Sequence, residues 1–439
     1  MTLSRRDALL STLFGASHVG LRALATGLPA AFLLDPGKAL ADTGPSACAA
    51  PSKAQFFVLN TSEAGDPINA TVPGTYDDPK IVHSSDPSMA PTRLTMQGRQ
   101  TTAAAPWGTL PQHVLDRTVF WHLMTNTPVH PREPGVLQLM GATPRQEMFP
   151  SLLAKALAPC LGTIQTQPIS VGAATPSEDL TFEGAPLPVI PATALGATLT
   201  APTGPIANLQ SLRDQTLNQL YDLYKNTASP AQRTYVDSLV TSQQQVRKIN
   251  QGLLGQLATI KDNSAASQVL AAVALIQMNV TPVVAIHIPF GGDNHRDIGL
   301  AAETQQTVAG VGTIALLMQQ LQAAGLEDRV TFVSLNVFGR TLGPGNADGR
   351  QHNENHQVSI TIGKPFKGGV IGGVAQVQGD YGALAINAQS GAGSQGGGIQ
   401  PIDTLAAFGM TVLASVGADP TVLVSPNSSA AVVQAALAS

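Results

Sequence analysis

The sequence predicts an α/β fold, doubly wound, with a mostly parallel sheet flanked by helices. Three observations predict it. Short apolar runs bounded by polar residues recur along the chain, as buried strands do. In the second half these runs alternate with stretches of helical period, the order expected of a parallel sheet covered on both faces. Several of the runs end near an Asp or a His, and ligands in open α/β sheets bind outside the carboxyl ends of the strands.

The elements follow in chain order. Ser4-Arg5-Arg6-Asp7-Ala8-Leu9-Leu10 opens a twin-arginine segment, apolar residues continue through Leu34, and Ala39-Leu40-Ala41 offers a small-x-small cleavage site. A membrane anchor is the alternative. His18, Arg22, Gly27 and Pro29 interrupt the apolar stretch, so residues 1–41 are expected to be a cleaved export signal that leaves no stable membrane span. Residues 42–54 are small and polar, a flexible mature terminus. Phe56-Phe57-Val58-Leu59 and Val119-Phe120-Trp121-His122-Leu123-Met124 read as buried strands.

A helical segment occupies about 206–262. Leu209, Leu212, Leu220 and Leu223 mark one helix, Ser229-Pro230 ends it, and Tyr235, Leu239, Val246, Ile249, Leu253, Leu257 and Ile260 mark the next. A third helix, about 265–278, leads into a strand over 282–289. Helix 303–324 then precedes strand 330–335, and a loop precedes strand 358–362. The Gly/Ser-rich stretch 390–398 reads as a flexible surface loop. Helix 401–416 closes the domain, with Asp403 at the positive end of its dipole. The reading gives one domain over 55–425 that includes the 206–262 insertion, and a C-terminal tail over 426–439.

Composition narrows the function classes. The 439 residues are 43% hydrophobic and only 12% charged, with a net charge of -4, so the chain can bury a sizeable core. No Arg/Lys run is present, which argues against nucleic acid as a partner. No Gly-x-Ser-x-Gly elbow, no phosphate-cradling loop and no dinucleotide fingerprint following a strand is present. Cys48 and Cys160 are the two cysteines, able to form one disulfide in an oxidising compartment if their backbones approach.

The polar clusters carry the chemistry. Asp293 and His295, in Gly291-Gly292-Asp293-Asn294-His295, can turn toward one cation if the loop wraps it; a plain Asp-Asn turn with a surface His is the alternative. His352 and His356 lie four apart around Glu354. They are either ligands or acid/base groups, or members of an ordinary polar loop. Asp66 leaves the first strand and His130 the second. Each alone could be a turn residue; together they form the ligand shell that a site at a sheet edge requires. Arg340, in Phe338-Gly339-Arg340-Thr341, either clamps an anion through its planar fork or bonds loop carbonyls.

These stretches resemble the bacterial exported family called domain of unknown function 1501, grouped with the alkaline phosphatase and sulfatase superfamily. The resemblance runs over about 55–425. Gly65-Asp66-Pro67-Ile68-Asn69-Ala70-Thr71-Val72-Pro73 is similar to the family's Gly-x-Asp-Gly-Leu-Asn-Thr-Val-Val-Pro, and Val129-His130 to its Ser-His. Gly291-Gly292-Asp293-Asn294-His295 resembles Gly-Gly-Trp-Asp-Thr-His with one residue fewer. Asn336-Val337-Phe338-Gly339-Arg340-Thr341 resembles Ser-Glu-Phe-Gly-Arg-Thr, and Gly349-Arg350-Gln351-His352 resembles Gly-Arg-Asp-His. The closing Gln400-Pro401-Ile402-Asp403-Thr404-Leu405 is similar to Val-Thr-Pro-x-Asp-Leu.

The resemblance implies an alkaline phosphatase-like fold with a divalent metal (Zn, Ca, Mg or Mn) at the carboxyl edge of the sheet, and hydrolysis of a phosphate or sulfate ester. Asp293, His295 and His352 would hold the ion with Asp66 or His130 completing the shell, and Arg340, Asn69 and His356 would face a small or envelope-derived anionic substrate. Three positions depart from the pattern: Val129 stands for a Ser, Val337 for a Glu and Gln351 for an Asp. Loss of two carboxylates leaves one metal rather than two. Two functions are therefore expected: a periplasmic or secreted single-metal hydrolase, or an inactive relative that binds or assembles with an envelope protein.

Overall fold

Seven short apolar runs form a single sheet. They are β1 (Phe56–Ser62), β2 (Thr118–Leu123), β3 (Ile169–Ser170), β4 (Val283–Ile286), β5 (Val330–Asn336), β6 (Gln357–Ile362) and β7 (Gly369–Ile371). The computed structural model describes residues 54–132, 148–162, 167–172, 181–182, 185–187, 189–199, 210–230, 233, 236–238, 240–241, 251–377, 379–423 and 427–438. The expected export segment 1–41, Cys48, and the helix-marking residues Leu209, Tyr235, Leu239, Val246 and Ile249 lie outside them. Cys160 is disulfide-bonded. Among the described residues no helix is long and apolar enough to cross a membrane.

The spatial order is β7-β2-β6-β5-β1-β4-β3. β1 pairs in parallel with β4 and β5, β3 with β4, and β7 with β2, while β6 runs antiparallel to both β2 and β5. Six strands therefore share one direction and β6 alone opposes them. The expected mostly parallel sheet is present, with this one reversal. Its cause is the connection: no helix intervenes between β5 and β6, and a parallel return needs a crossover.

Alternation along the strands feeds two cores. Phe56, Val58, Phe120, Val284, Phe332 and Ile360 face one layer, formed with α2 (Ala192–Leu199), α4 (Gln251–Thr259), α5 (Ala265–Gln277) and α6 (Ala301–Ala323). Phe57, Leu59, Trp121, Val283 and Leu335 face the other, covered by α1 (Phe149–Leu157) and α7 (Thr404–Ala414). α3 (Gln210–Thr227) lies within the segment read as helical. Burial on both faces is what makes these strands nearly continuous hydrophobic runs.

Two expectations are corrected. Strand 282–289 is shorter than predicted, ending at Ile286, because the Asn60 side chain takes over as partner: its Oδ1 accepts from Ile288 N at 2.5 Å. Pro289 has no N–H to extend the ladder. The stretch 390–398 is not a free loop, since Gly393–Ser394 pairs antiparallel with Ala385–Ile386. Asp403 stands at the N-terminus of the closing helix, as expected, without a side-chain capping bond; its carboxylate accepts from Ser428 Oγ at 2.7 Å and Ser429 N at 2.8 Å. That bond anchors the C-terminal segment, in which Val433 and Ala436 are fully buried.

Phe332 lies in the middle of the central strand with no exposed surface, whereas Ile298 is 84% exposed. Phe332→Ala is expected to lower unfolding free energy by about 3–5 kcal/mol, and Ile298→Ala to change it by less than about 0.5 kcal/mol, both read from urea denaturation.

Candidate metal centre

The reversed strand decides where the site forms. β1, β2, β4 and β5 all exit at one edge of the sheet, and β6 enters from that same edge. The segments after β1, β2, β4 and β5 and the one before β6 therefore meet. His130, Asp293, His295 and His352 come from three of these segments, and one ligand atom from each lies within 4.8 Å of all the others.

The three imidazoles are oriented alike. His130 Nδ1 lies 2.7 Å from Glu63 O, and His352 Nδ1 lies 2.6 Å from Pro128 O. A carbonyl oxygen only accepts, so both Nδ1 atoms carry the proton and both Nε2 atoms of the neutral rings hold a free lone pair. His295 Nδ1 sits 2.9 Å from Gln351 Oε1 and follows the same pattern. The Nε2 atoms then converge: His295 and His352 are 2.8 Å apart, and Asp293 places Oδ1 3.2 Å from His295 Nε2 and Oδ2 3.5 Å from His130 Nε2. Two lone pairs 2.8 Å apart repel unless a proton or a cation lies between them. Imidazoles held at one nitrogen by an oxygen, with the other free, are how proteins present histidine to a metal.

Electrostatics agree. Burial pushes the Asp293 carboxyl up, but the charge and hydrogen bond of Arg340, with His130 and His295, outweigh it and hold that carboxyl below its usual range. Burial lowers His352, helped by the nearby Arg340, His130 and His295, against the Pro128 carbonyl. The neutral ring is the form that can bind a cation. The cluster is open to water, with Asp293 half exposed and His295 and His130 partly so. Phe338, fully buried, packs against the His130 and His352 rings at centroid distances of 5.0 Å and 4.3 Å.

Not every predicted site residue joins the cluster. Asp66 is buried, and its Oδ1 accepts from Gly292 N at 3.0 Å, so it shapes the loop that carries Asp293 and His295 instead of joining the cluster. Burial pushes its carboxyl up, against His287, Ser62, Arg340 and Gly292. Arg340 is fully buried. It donates to Gly65 O and Ala64 O at 2.5 Å and to Asp293 Oδ1 at 2.9 Å, which is the loop-bonding alternative and not an exposed anion clamp. Asn69 and His356 are also fully buried and bonded to each other. Val337 is packed in the core, well suited to an apolar side chain. Gln351 stands beside His295 rather than in a ligand position, and its amide can accept from Nδ1 with no added charge.

Sequence reasoning missed the supports. Glu303 and Arg350, both buried, pair at 2.6 Å (Oε2 to Nε) and 3.1 Å (Oε1 to Nη2). Arg350 also donates to Thr341 O and Val82 O, and its backbone N donates to Asn294 O at 3.0 Å. The pair thus locks the His295 loop to the His352 loop. Its sequence signals were Glu303 in the first turn of a helix and Arg350 within the Gly349-Arg350-Gln351-His352 motif, and neither pointed to the other. His122 is buried too, a polar residue in an otherwise apolar strand, and such a residue needs a partner.

With the geometry in hand, the comparison with known families can be read. Residues 204–386 match the family model described as Protein of unknown function (DUF1501). The match supports that family. It takes in Asp293, His295, Arg340 and His352, while His130 and Asp66 belong to earlier strands of the same sheet. It is narrower than the 55–425 over which the motifs run. No curated protein matches the chain.

Two outcomes follow from this geometry. Gly349 has φ +130°, and a Cβ there would lie 2.3 Å from His295 O. Gly349→Ala is expected to displace the His295 backbone and weaken divalent-metal binding at least about tenfold, the scale of losses at supports of metal ligands, measured by calorimetric titration. In acid, His122 and His83 matter: burial pushes each down to about 4 from an ordinary 6.5. Between those values the unfolded chain binds more protons than the folded one, so stability present above pH 6.5 is lost as pH falls toward 4. The urea midpoint of metal-stripped protein should decline over that window, and His122→Gln should shallow the decline.

Proposed function

We propose that this protein is an exported hydrolase-like protein whose His130, Asp293, His295 and His352 bind one divalent cation. The observation that carries the reading is the shared orientation of the three imidazoles, each with Nδ1 on an oxygen and Nε2 turned to a common point. A cation there would lower the pKa of a bound water and offer charge to an ester oxygen. The chain's own groups would do the rest. Arg340 fixes one oxygen of Asp293, and the half-exposed carboxylate would hold the cation and accept a hydrogen bond from a water bound there. The alkaline phosphatase and sulfatase likeness of the motifs, with the sheet-edge position of the cluster, favours phosphate or sulfate esters as substrates. The twin-arginine segment favours export to the periplasm or beyond.

A second reading rests on a specific feature. Four candidate protein ligands are as many as a closed structural metal site uses, and the one Arg expected to clamp an anion is buried beside Asp293. On that reading the protein is a non-catalytic metal-binding relative with an envelope partner.

Elemental analysis of natively exported protein separates the possibilities. The expected result is about one divalent ion per chain, lost in His295→Ala and in His352→Ala, with hydrolysis of generic phosphate or sulfate esters that Asp293→Asn abolishes. A stoichiometric ion with no activity on either ester class would favour the binding reading. Native protein without metal would overturn both.

A further inference from the structure

His122 and His356 are the most completely buried ionisable pair near the cluster, and neither takes part in it. Their rings stack at a centroid distance of 5.1 Å and an interplanar angle of 10°. A chain of hydrogen bonds runs through them, and its direction is forced from one end. Pro73 O can only accept, so His122 Nε2, 2.9 Å away, carries the proton. In the neutral ring Nδ1 is then an acceptor, and His356 Nε2, 2.8 Å away, must donate to it. His356 Nδ1 is left as an acceptor for Asn69 Nδ2 at 3.2 Å. Burial keeps both rings neutral, pushing His122 down to about 4 and His356 well below its ordinary value.

The far end of the chain is the backbone of Arg340. Asn69 Nδ2 also donates to Arg340 O at 2.8 Å, and Asn69 Oδ1 accepts from Arg340 N at 3.0 Å. A reversed amide would set N–H against N–H and oxygen against oxygen at that backbone. The acceptor nitrogen of His356 selects the productive orientation. There is no slack around it: a Cβ on Gly339 would lie 2.2 Å from His356 O and 2.8 Å from Asn69 Nδ2. Polar groups this deep are costly unless bonded, and these are bonded in a line that ends on the residue holding Asp293.

We propose that His122 and His356 are positioning residues which, through Asn69, fix Arg340 and hence Asp293 in the geometry a bound cation needs. The proposal rests on the reading of the cluster as a cation centre, so its test has one readout that requires metal and one that does not.

Cobalt(II) is the probe, followed by calorimetric titration and by its visible d–d absorption. Hydrogen exchange of the Arg340 Nε–H, read by nitrogen-labelled NMR of metal-free protein, is the second readout. His356→Phe keeps a ring and removes both nitrogens; His356→Gln keeps one donor and one acceptor. The phenylalanine variant is expected to bind cobalt about 10–100-fold more weakly with an altered spectrum, and to exchange the Arg340 proton about tenfold faster. The glutamine variant should restore both toward wild type. A folded phenylalanine variant with wild-type affinity, spectrum and exchange would overturn the proposal. If that variant does not fold, Asn69→Ala must give the same two changes, and wild-type values there overturn it equally. Should wild-type protein bind no cobalt, the cation reading fails, and exchange of the Arg340 proton alone decides whether the pair positions it.

Discussion

A guanidinium with no exposed surface holds the sheet edge together. Removing a charge from water is costly, and the cost is tolerable only when hydrogen bonds and an opposite charge surround it. Arg340 finds these in the Ala64 and Gly65 carbonyls after β1 and in Gly292 O and Asp293 after β4. Its backbone is clasped by Asn69. Three chain segments distant in sequence are thus obliged to meet at one cation, and the metal-ligand candidates sit on what they build. Glu303 and Arg350 repeat the device for the loops of His295 and His352.

The fold was legible where burial is two-sided. Phe56-Phe57-Val58-Leu59 and Val119-Phe120-Trp121 declare themselves because residues pointing either way enter a core. The hairpin Pro91–Met96 with Arg99–Ala104 was not legible. Its strands are only partly buried, and its turn is Gln97-Gly98 with both φ values positive, where Asn-Gly would have been the readable signal. The direction of β6 was written in the helix-free stretch before it, but the expectation of a mostly parallel sheet did not say which strand would be reversed. In the candidate site, Asp293, His295, His352 and His130 could be named because each is polar where an apolar run ends. Which side chains are buried beneath them could not be. Arg340, Asn69 and His356 have the same residue types as a ligand-facing shell, and only packing separates the two roles.

The departures from the family pattern acquire physical content from their surroundings. Val337 lies in the apolar layer with Leu335 and Leu405, where a carboxylate would be unpartnered. Gln351 contacts the Nδ1 side of the His295 ring, away from the point where the candidate ligand atoms converge. An acidic residue there would set a negative charge beside the His295 ring, which the neutral amide does not.

The sheet also tapers. β1 and β5 near its centre have seven residues each, while the outermost strands, β7 and β3, have three and two. Even those stubs are engaged: Ser170 bridges to Val189, and Gly372, just past β7, bridges to Ala392. Open backbone at a sheet rim is a template on which other chains can add strands. A molecule this rich in apolar strand sequence would invite such growth if its long strands lay outermost. With the long strands enclosed and the rim strands among the described residues reduced to a few paired residues, this sheet offers little open backbone on which a second copy could extend it.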